Sequence, residues 1–217
     1  MRWKRTLCFF ILTLVTFFCV KVLKHSLLAS SDGCEVPKDV HVGILKISEI
    51  VHQILSGLDV THFLCYDSLW GSLHFENPLP WKSDIEFCAV NDEALYKDEA
   101  RLLRSFRKHS LDLEYNSVEG SYNVFNKTGL AGSVKLIIFE ADPVSKMMRR
   151  VGWRRRVLPP DCEANEILHC FPPRLIEQPL PTKMLGKKEF PVPHEEIELQ
   201  KYLYPSDWWR DLKPPNC

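Results

Sequence analysis

The residues best suited to chemistry lie between positions 66 and 87. Asp84 and Glu86 stand two positions apart, with Ile85 between them and Phe87 after them. In a β-strand, alternate side chains share a face, so the two carboxylates would lie side by side while Ile85 and Phe87 face the core. Neighbouring carboxylates repel each other unless a cation lies between them, and a hard divalent metal is the common solution. The pattern therefore predicts metal binding by Asp84 and Glu86, with a solvated strand face as the alternative.

A small pair, Gly71-Ser72, lies at the front of the same stretch. It follows Leu69-Trp70, and the stiff apolar segment 78–81 connects it to the two carboxylates. Small residues allow backbone N–H groups to approach a phosphate closely, which makes this pair a candidate phosphate-binding site. An ordinary turn has the same composition, so this second interpretation is open.

The overall composition indicates one globular domain without a nucleic-acid partner. The chain has 217 residues, of which 45% are apolar, and its 28 basic and 28 acidic side chains cancel. A neutral chain has no net charge with which to attract nucleic acid or a membrane surface. Most of the 15 prolines follow residue 158. This distribution favours a compact N-terminal two-thirds and an extended C-terminal third.

The N-terminus has the pattern of a membrane-targeting segment. Basic residues at positions 2, 4 and 5 precede an apolar, uncharged run at 7–20, and Lys21 follows. This order favours a short cytoplasmic tail with the rest of the chain in the lumen. A cleaved signal peptide with its site near Ala29 is the alternative. We predict a single-pass type II arrangement with a cytoplasmic tail at 1–6, a transmembrane signal anchor at 7–28, a linker at 29–38 and a lumenal domain at 39–217.

Cysteines and a glycosylation sequon agree with a lumenal body. Six cysteines lie outside the apolar segment, and an even number in an oxidising compartment indicates disulfides. Cys162 and Cys170 are close in sequence and are predicted to pair, although zinc binding with His169 is an alternative. Asn126 begins the sequon Asn-Lys-Thr in a polar, Gly-rich region, which predicts an exposed glycosylation site.

The spacing of apolar residues predicts alternating helices and strands. Positions 39–58 repeat at helical spacing, whereas 133–139 are almost continuously apolar, as in a strand buried on both faces. Strands that alternate with helices favour an α+β fold in which helices flank a mixed sheet. The same criteria predict strands at 60–65, 84–90, 111–115 and 122–125, a turn at 66–72, and helices at 92–109 and 194–202.

Two blocks of the sequence resemble the LicD family. The first reads Tyr-Asp-Ser-Leu-Trp-Gly-Ser at 66–72 and Pro-Trp-Lys-Ser-Asp-Ile-Glu at 80–86. The second contains Phe-Pro-Val-Pro at 190–193, Tyr-Leu-Tyr-Pro at 202–205 and Asp-Trp at 207–208. The blocks follow the order of the family pattern. Together with the predicted type II anchor, they most resemble the fukutin and fukutin-related branch.

This resemblance implies a nucleotidyltransferase-like fold and a transfer reaction. The reaction would move a phospho-alcohol or phospho-sugar group, such as ribitol phosphate or phosphocholine, from a CDP-linked donor to a lumenal glycan. In such a site Asp84 and Glu86 would be catalytic residues that bind Mg²⁺ or Mn²⁺, and Gly71 and Ser72 would bind the donor phosphates. The resemblance also implies residence in the Golgi or endoplasmic reticulum membrane.

The sequence departs from the family pattern at several acidic positions. Lys82-Ser83 stand where the family has two further acids, so Lys82 can neutralise the carboxylate pair in place of a metal. Asp67-Ser68 replace a Gly-Thr pair. Ile137 stands at the position of an acid in the later strand, and the nearest acids, Glu140 and Asp142, follow it at the strand's end.

Two classes of function therefore remain open. An active transferase would use the carboxylates and a metal, whereas a pseudoenzyme would keep the fold and act as a binding or scaffold protein in the secretory pathway. The basic cluster from Arg149 to Arg156 fits either interpretation, because it can bind a donor or acceptor phosphate or form a solvated face.

Overall fold

The computed structural model describes residues 34–91, 99–127, 129–159 and 161–209. Within these ranges, no helix combines the length and apolar character needed to cross a membrane. The predicted cytoplasmic tail, signal anchor and most of the linker lie outside the described residues. The described residues from Val36 onward belong to one compact unit.

A mixed sheet forms the centre of the fold. Its strands are β1 (His62–Leu64), β2 (Asp84–Val90), β3 (Leu111–Asn116), β4 (Ser121–Asn126), β5 (Ser133–Ala141) and β6 (Met148–Arg150). The order across the sheet is β1-β2-β5-β4-β3, and β6 pairs with the end of β5. β2 and β5 are parallel, and the other pairs are antiparallel.

Helices flank this sheet, as the sequence predicts for an α+β fold. They are α1 (Lys38–Gly57), α2 (Tyr66–Phe75), α3 (Glu99–Lys108), α4 (Trp153–Arg156) and α5 (Glu196–Leu203). Helix α1 packs against β2 and β5, and α3 packs against β3. Among the described residues, the remaining elements are two 3₁₀ turns and an antiparallel hairpin, which span Glu166–Leu168, Pro173–Ile176, β7 (Thr182–Leu185) and β8 (Lys188–Pro191).

The apolar stripe of α1 supplies much of the core. Ile44, Ile47, Val51 and Leu55 recur every three or four residues and are completely buried. This spacing places them on the side of the helix that faces the sheet, where each buried side chain stabilises the fold by roughly 1.5–3 kcal/mol. The helix predicted at 39–58 is confirmed, as are the strands predicted at 84–90 and 133–139.

The turn predicted at 66–72 is wrong, because this segment lies in helix α2. Most of its residues are buried, since α2 packs against β2, β7 and α5. A helix covered on several sides has no polar face that would reveal its period. Gly71, which looks like a turn signal, is there because a Cβ atom at this position would lie 2.6 Å from the carbonyl oxygen of Asn77.

The C-terminal third is more structured than the proline distribution predicts. The hairpin β7–β8 was not predicted, and the helix predicted at 194–202 is observed as α5. Of the helix predicted at 92–109, the structure shows α3 at Glu99–Lys108, while residues 92–98 lie outside the described part of the chain.

Candidate functional site

The two predicted catalytic carboxylates lie on one face of β2. Asp84 and Glu86 alternate with Ile85 and Phe87, whose side chains are buried on the opposite face. In the parallel pairing with β5, Glu86 lies opposite Lys135. Because paired residues of neighbouring strands share a face, a lysine adjoins the two carboxylates.

Glu86 is held at the N-terminus of α2. The backbone N–H of Asp67 donates to Glu86 Oε2 at 3.2 Å, and the backbone N–H of Glu86 donates to Ser68 Oγ at 2.7 Å. A carboxylate is favoured here because the first N–H groups of a helix have no partners within the helix. Glu86 therefore connects β2 to the start of α2, and one of its oxygens is already used within the protein.

Asp67 is a third carboxylate of the site, and sequence analysis did not select it. Its side chain is 14% exposed and forms an ion pair with the ammonium group of Lys82. The Tyr204 hydroxyl donates to Asp67 Oδ1 at 2.9 Å. One feature of the sequence pointed to this role, because Asp67 is an acid at a position where the LicD pattern has glycine.

The charges of this cluster shift two pKa values. Burial raises the pKa of Glu86 to about 7, and the charges of Asp67 and Asp84 act in the same direction, while Lys82 and Lys135 partly offset them. Burial disfavours the charged form of Lys82. The hydrogen bond and charge of Asp67 act against burial, as do the charges of Glu86 and Asp84, and together they raise the pKa of Lys82. Lys82 is therefore a cation among three carboxylates.

Gly71 and Ser72 lie inside α2 rather than at its N-terminus. Both are buried, and Ser72 Oγ donates to the carbonyl oxygen of Met184 in β7 at 2.8 Å. Backbone N–H groups inside a helix donate to carbonyls one turn earlier and are not offered to a ligand. This placement does not support the predicted donor-phosphate site, and the pair instead packs α2 against its neighbours.

The end of β5 does not supply the missing strand acid. Ile137, at the position of that acid, is buried. Glu140 and Asp142 lie beyond the C-terminal end of the β2–β5 pairing. Glu140 is seven strand positions, or roughly 23 Å, from Ser133, the β5 residue opposite Asp84, and Asp142 lies further along the chain. Both form ion pairs with Arg149, at 3.1 and 3.3 Å.

Tyr66 lies at the start of α2 in a strained backbone conformation. Its φ is 50°, which bulky residues rarely adopt, and His169 has φ 49°. The Tyr66 hydroxyl and His169 Nδ1 form a hydrogen bond of 3.1 Å, and Gln200 Nε2 donates to the Tyr66 carbonyl at 2.9 Å. Burial lowers the pKa of His169 to about 4, with Arg150 and Arg155 acting in the same direction, so the ring that meets the Tyr66 hydroxyl is neutral.

Three arginines converge on Glu119. Arg150, Arg154 and Arg155 approach its carboxylate at 3.2, 3.4 and 3.4 Å. Arg150 and Arg155 are 7% and 4% exposed. One carboxylate balances one of these charges, so a buried excess of positive charge remains.

Arg150 points to the same face of the sheet as the carboxylates. It lies opposite Phe139 in the pairing of β6 with β5, and Phe139 shares the face of Lys135. Its guanidinium carbon lies 5.8 Å from the centre of the Tyr66 ring. The buried Nε of Arg150 has no hydrogen-bond partner among the described residues. The neighbouring Arg149 pairs with Glu140 opposite it, on the other face.

The predicted local disulfide is confirmed. The sulfur atoms of Cys162 and Cys170 are 2.06 Å apart, and the alternative zinc site with His169 is wrong because both thiols are used. A second disulfide joins Cys65, directly before α2, to Cys88 in β2. It links the two elements that position Glu86.

Asn126, the predicted glycosylation site, is the last residue of β4. It is half-buried, whereas Lys127 is exposed, and position 128 lies outside the described residues. Glycosylation at this position stays a prediction.

The described residues do not fit a divalent cation in their present arrangement. Among them, no group of three or more His, Cys, Asp or Glu side chains is placed to hold a metal. Asp67 is paired with Lys82, Glu86 accepts a backbone N–H, and Lys135 faces Glu86. Mg²⁺ requires near-octahedral oxygen ligands, and neighbouring ammonium groups oppose it. The predicted Mg²⁺ or Mn²⁺ site at Asp84 and Glu86 is not supported by this arrangement.

Comparison with known families gives the class of this domain. The family model described as LicD/FKTN/FKRP, nucleotidyltransferase domain, matches residues 59–195. This range is well over half of the chain and contains the β2 carboxylates, α2 and the arginines around Glu119. The chain therefore belongs to the LicD family, which confirms the resemblance found in the sequence.

Two solved structures show partial similarity to this chain. One is the lincosamide antibiotic adenylyltransferase LnuA with lincomycin bound, with 9% identity, a TM-score of 0.43, and coverage of 71% of this chain and 82% of that chain. The other is the STING-associated c-di-GMP synthase CdnE from Capnocytophaga granulosa, with 17% identity, a TM-score of 0.36, and coverage of 67% and 50%. A search of curated proteins finds no matching sequence.

Proposed function

We propose that this chain is a divergent LicD-family transferase. It would bind a CDP-linked donor and transfer the donor's phospho-alcohol or phospho-sugar group to a lumenal glycan. Family membership supports a transferase-type domain. The observation that carries donor binding is the buried positive charge of Arg150 and Arg155, which share the carboxylate of Glu119. A pyrophosphate complements this charge because guanidinium groups bind phosphate oxygens in a bidentate manner.

Arg150 is the residue that we place on the donor phosphates. Its Nη2 donates to Glu119, whereas its buried Nε has no partner among the described residues. Such an unpaired donor costs about 1–3 kcal/mol, so a movement of the Arg150 side chain that lets a phosphate oxygen reach Nε would be favoured. Lys135 lies on the same face of the sheet as Arg150. Arg150 lies opposite Phe139 of β5, and Lys135 is four strand positions, or about 13 Å, from Phe139 along that strand. A nucleotide with a pyrophosphate link can reach both groups.

In the proposed reaction, a glycan hydroxyl oxygen attacks the β-phosphorus of the donor. A P–O bond to the glycan forms, the bond from the β-phosphorus to the bridging oxygen breaks, and CMP leaves with the electron pair. The hydroxyl proton passes to the carboxylate of Glu86, which lies two strand positions closer to Arg150 than Asp84 does and has a pKa of about 7. Lys82, Lys135 and Arg150 provide positive charge for the phosphates, and positioning with charge stabilisation supplies most of the rate enhancement.

Donor binding is tested by isothermal titration of the detergent-solubilised full chain with CDP-ribitol and CDP-choline in EDTA. We expect Arg150→Gln to weaken binding roughly 10- to 100-fold, because charge-assisted hydrogen bonds to phosphate are lost. Arg149→Gln is the matched control, since the adjacent Arg149 pairs with Glu140 and Asp142 and should leave binding unchanged. Arg150→Lys keeps the charge, and thermal unfolding of each variant checks the fold.

Two results would contradict this proposal. If the wild-type chain binds neither donor, with EDTA or with Mn²⁺, the chain is not a donor-binding protein. If folded Arg150→Gln and Arg149→Gln variants bind as well as each other, Arg150 does not contact the donor.

The ion pair between Lys82 and Asp67 favours a second candidate function. A family member that has lost its metal site can bind the donor without turning it over, as a binding or scaffold protein of the secretory pathway. Both candidates require donor binding, so CMP release from CDP-ribitol with a glycan acceptor separates them. Binding without CMP release selects the second candidate.

We also propose that the body works in the lumen of the Golgi or endoplasmic reticulum, attached to the membrane by the predicted type II anchor. The Cys65–Cys88 and Cys162–Cys170 disulfides support this location, because disulfides persist in oxidising compartments and are rare in the cytosol.

A further inference from the structure

We propose that Lys82 is the built-in cation of this site and takes the place of a divalent metal among the carboxylates of Asp67, Asp84 and Glu86. The inference concerns the same site as the proposed function and rests on it for the role of the site. Its test measures metal binding without any donor, so the two proposals can fail independently.

The structure holds Lys82 at the carboxylates from both ends of its side chain. The Lys82 backbone N–H donates to the carbonyl oxygen of Leu79 at 3.0 Å, and Leu79 is buried, so the turn before β2 fixes the start of the side chain. At the other end, the ammonium group pairs with Asp67, and Tyr204 orients that carboxylate through a 2.9 Å hydrogen bond. The Lys82 side chain is 36% exposed, so its head group lies where the site opens to solvent.

The balance of charge agrees with this assignment. The cluster contains three carboxylates, and Lys82 and Lys135 provide two positive charges. An entering metal would have to displace an ammonium group from Asp67 and would then face the charge of Lys135. It would also compete with the backbone N–H that occupies Glu86 Oε2.

The position of Asp67 explains why a lysine is needed. Asp67 follows directly on the strained Tyr66 and supplies an acid that the family pattern lacks at this point. Without a cation, the carboxylates of Asp67 and Glu86 would repel each other at the start of α2, where the Asp67 backbone nitrogen lies 3.2 Å from Glu86 Oε2. Lys82 removes this repulsion permanently, whereas a metal would do so only when bound.

The test measures Mn²⁺ binding to the full chain in two ways. One uses the electron paramagnetic resonance signal of free Mn²⁺, and the other uses calorimetry. We expect Lys82→Met to gain Mn²⁺ affinity by at least about tenfold over wild type, because the competing charge is gone while the carboxylates stay. Adding Asp84→Asn to Lys82→Met should remove the gain. Lys188→Met is the matched control, because it breaks an exposed ion pair with Glu49 elsewhere and should gain nothing.

Two results would overturn the inference. One is Mn²⁺ binding to the wild-type chain that Asp84→Asn abolishes, because the metal would then enter the site with Lys82 present. The other is a folded Lys82→Met variant with no gain, and Lys82→Gln serves the same purpose if the methionine variant does not fold. Neither result bears on donor binding, which is measured in EDTA.

Discussion

At the scale of single residues, the site is defined by charges that neutralise each other. Asp67 and Lys82 are both departures from the family pattern, and the structure shows them paired. Each one alone would leave a partly buried, uncompensated charge beside Glu86, which is costly. The pair is therefore best understood as one feature, and neither residue explains the site without the other.

A second residue-scale feature gives the fold a predictable response to acid. His62 is 5% exposed, its Nδ1 donates to the Val60 carbonyl at 2.7 Å, and its Nε2 lies 2.7 Å from Nδ1 of His52. Burial lowers the pKa of His62 to about 4, and the charge of His52 adds to this effect. The unfolded chain therefore binds a proton at a higher pH than the folded chain does.

We expect His62 to contribute on the order of 3 kcal/mol to the free energy of unfolding above pH 6.5 and to lose this contribution as the pH drops towards 4, while His169 acts in the same direction and Glu86 in the opposite one. Urea unfolding at several pH values measures this loss. His62→Asn keeps a donor for Val60 and should remove the His62 share of the pH dependence, whereas His109→Asn, at an exposed site, should keep the wild-type profile. An unchanged profile in His62→Asn would contradict this account.

At the scale of elements, α2 connects the parts of the site. Its first residues carry Tyr66 and Asp67, and its interior packs against β7 through Ser72. The Cys65–Cys88 disulfide fixes the entry to the helix beside β2. Because the helix is buried, a change in its interior should disturb both stability and the placement of Asp67.

Gly71→Ala tests how closely α2 is packed. The added Cβ would lie 2.6 Å from the Asn77 carbonyl oxygen, and backbone cannot yield as a flexible side chain can. We expect the free energy of unfolding to fall by roughly 1–3 kcal/mol, measured by chemical denaturation. Gly57→Ala, at the end of α1, has open space around the new atom and should be neutral or stabilising by about 0.5–1 kcal/mol. Equal effects of the two substitutions would show that the contact at Asn77 is unimportant.

At the scale of the whole molecule, the two LicD sequence blocks form one site. Gln200 and Tyr204, in and after α5, bond to Tyr66 and Asp67 at the start of α2. These contacts span sequence separations of 134 and 137 residues. The second block therefore acts by orienting the first, which gives a physical reason for the presence of both blocks in one chain.

The proposed lumenal location belongs to this scale as well. We expect the chain made in animal cells to carry a glycan at Asn126, since the sequon would then face the oligosaccharide-transferring machinery of the lumen. Endoglycosidase treatment should increase the electrophoretic mobility of the wild-type chain and leave Asn126→Gln unchanged. A wild-type chain whose mobility does not change would contradict either the lumenal exposure of this site or the use of this sequon. Protease protection of intact microsomes would distinguish these two explanations.

The sequence by itself determined the features that depend on neighbouring positions. Apolar periodicity identified α1, β2 and β5, alternation placed Asp84 and Glu86 on one face, and proximity paired Cys162 with Cys170. The turn predicted at 66–72 failed because burial on several sides removed the polar face by which a helix is recognised.

Only the tertiary structure decided which charges meet. Lys135 opposes Glu86 through the parallel register of β2 and β5, and the pairing of β6 with β5 turns Arg150 towards the same face. Register between distant strands depends on how the intervening helices pack, and shifting it by one residue would send each side chain to the other face. Local sequence patterns carry no record of that choice. The sequence already suggested Lys82 beside the carboxylates, whereas Lys135 opposite Glu86 became visible only in the folded chain.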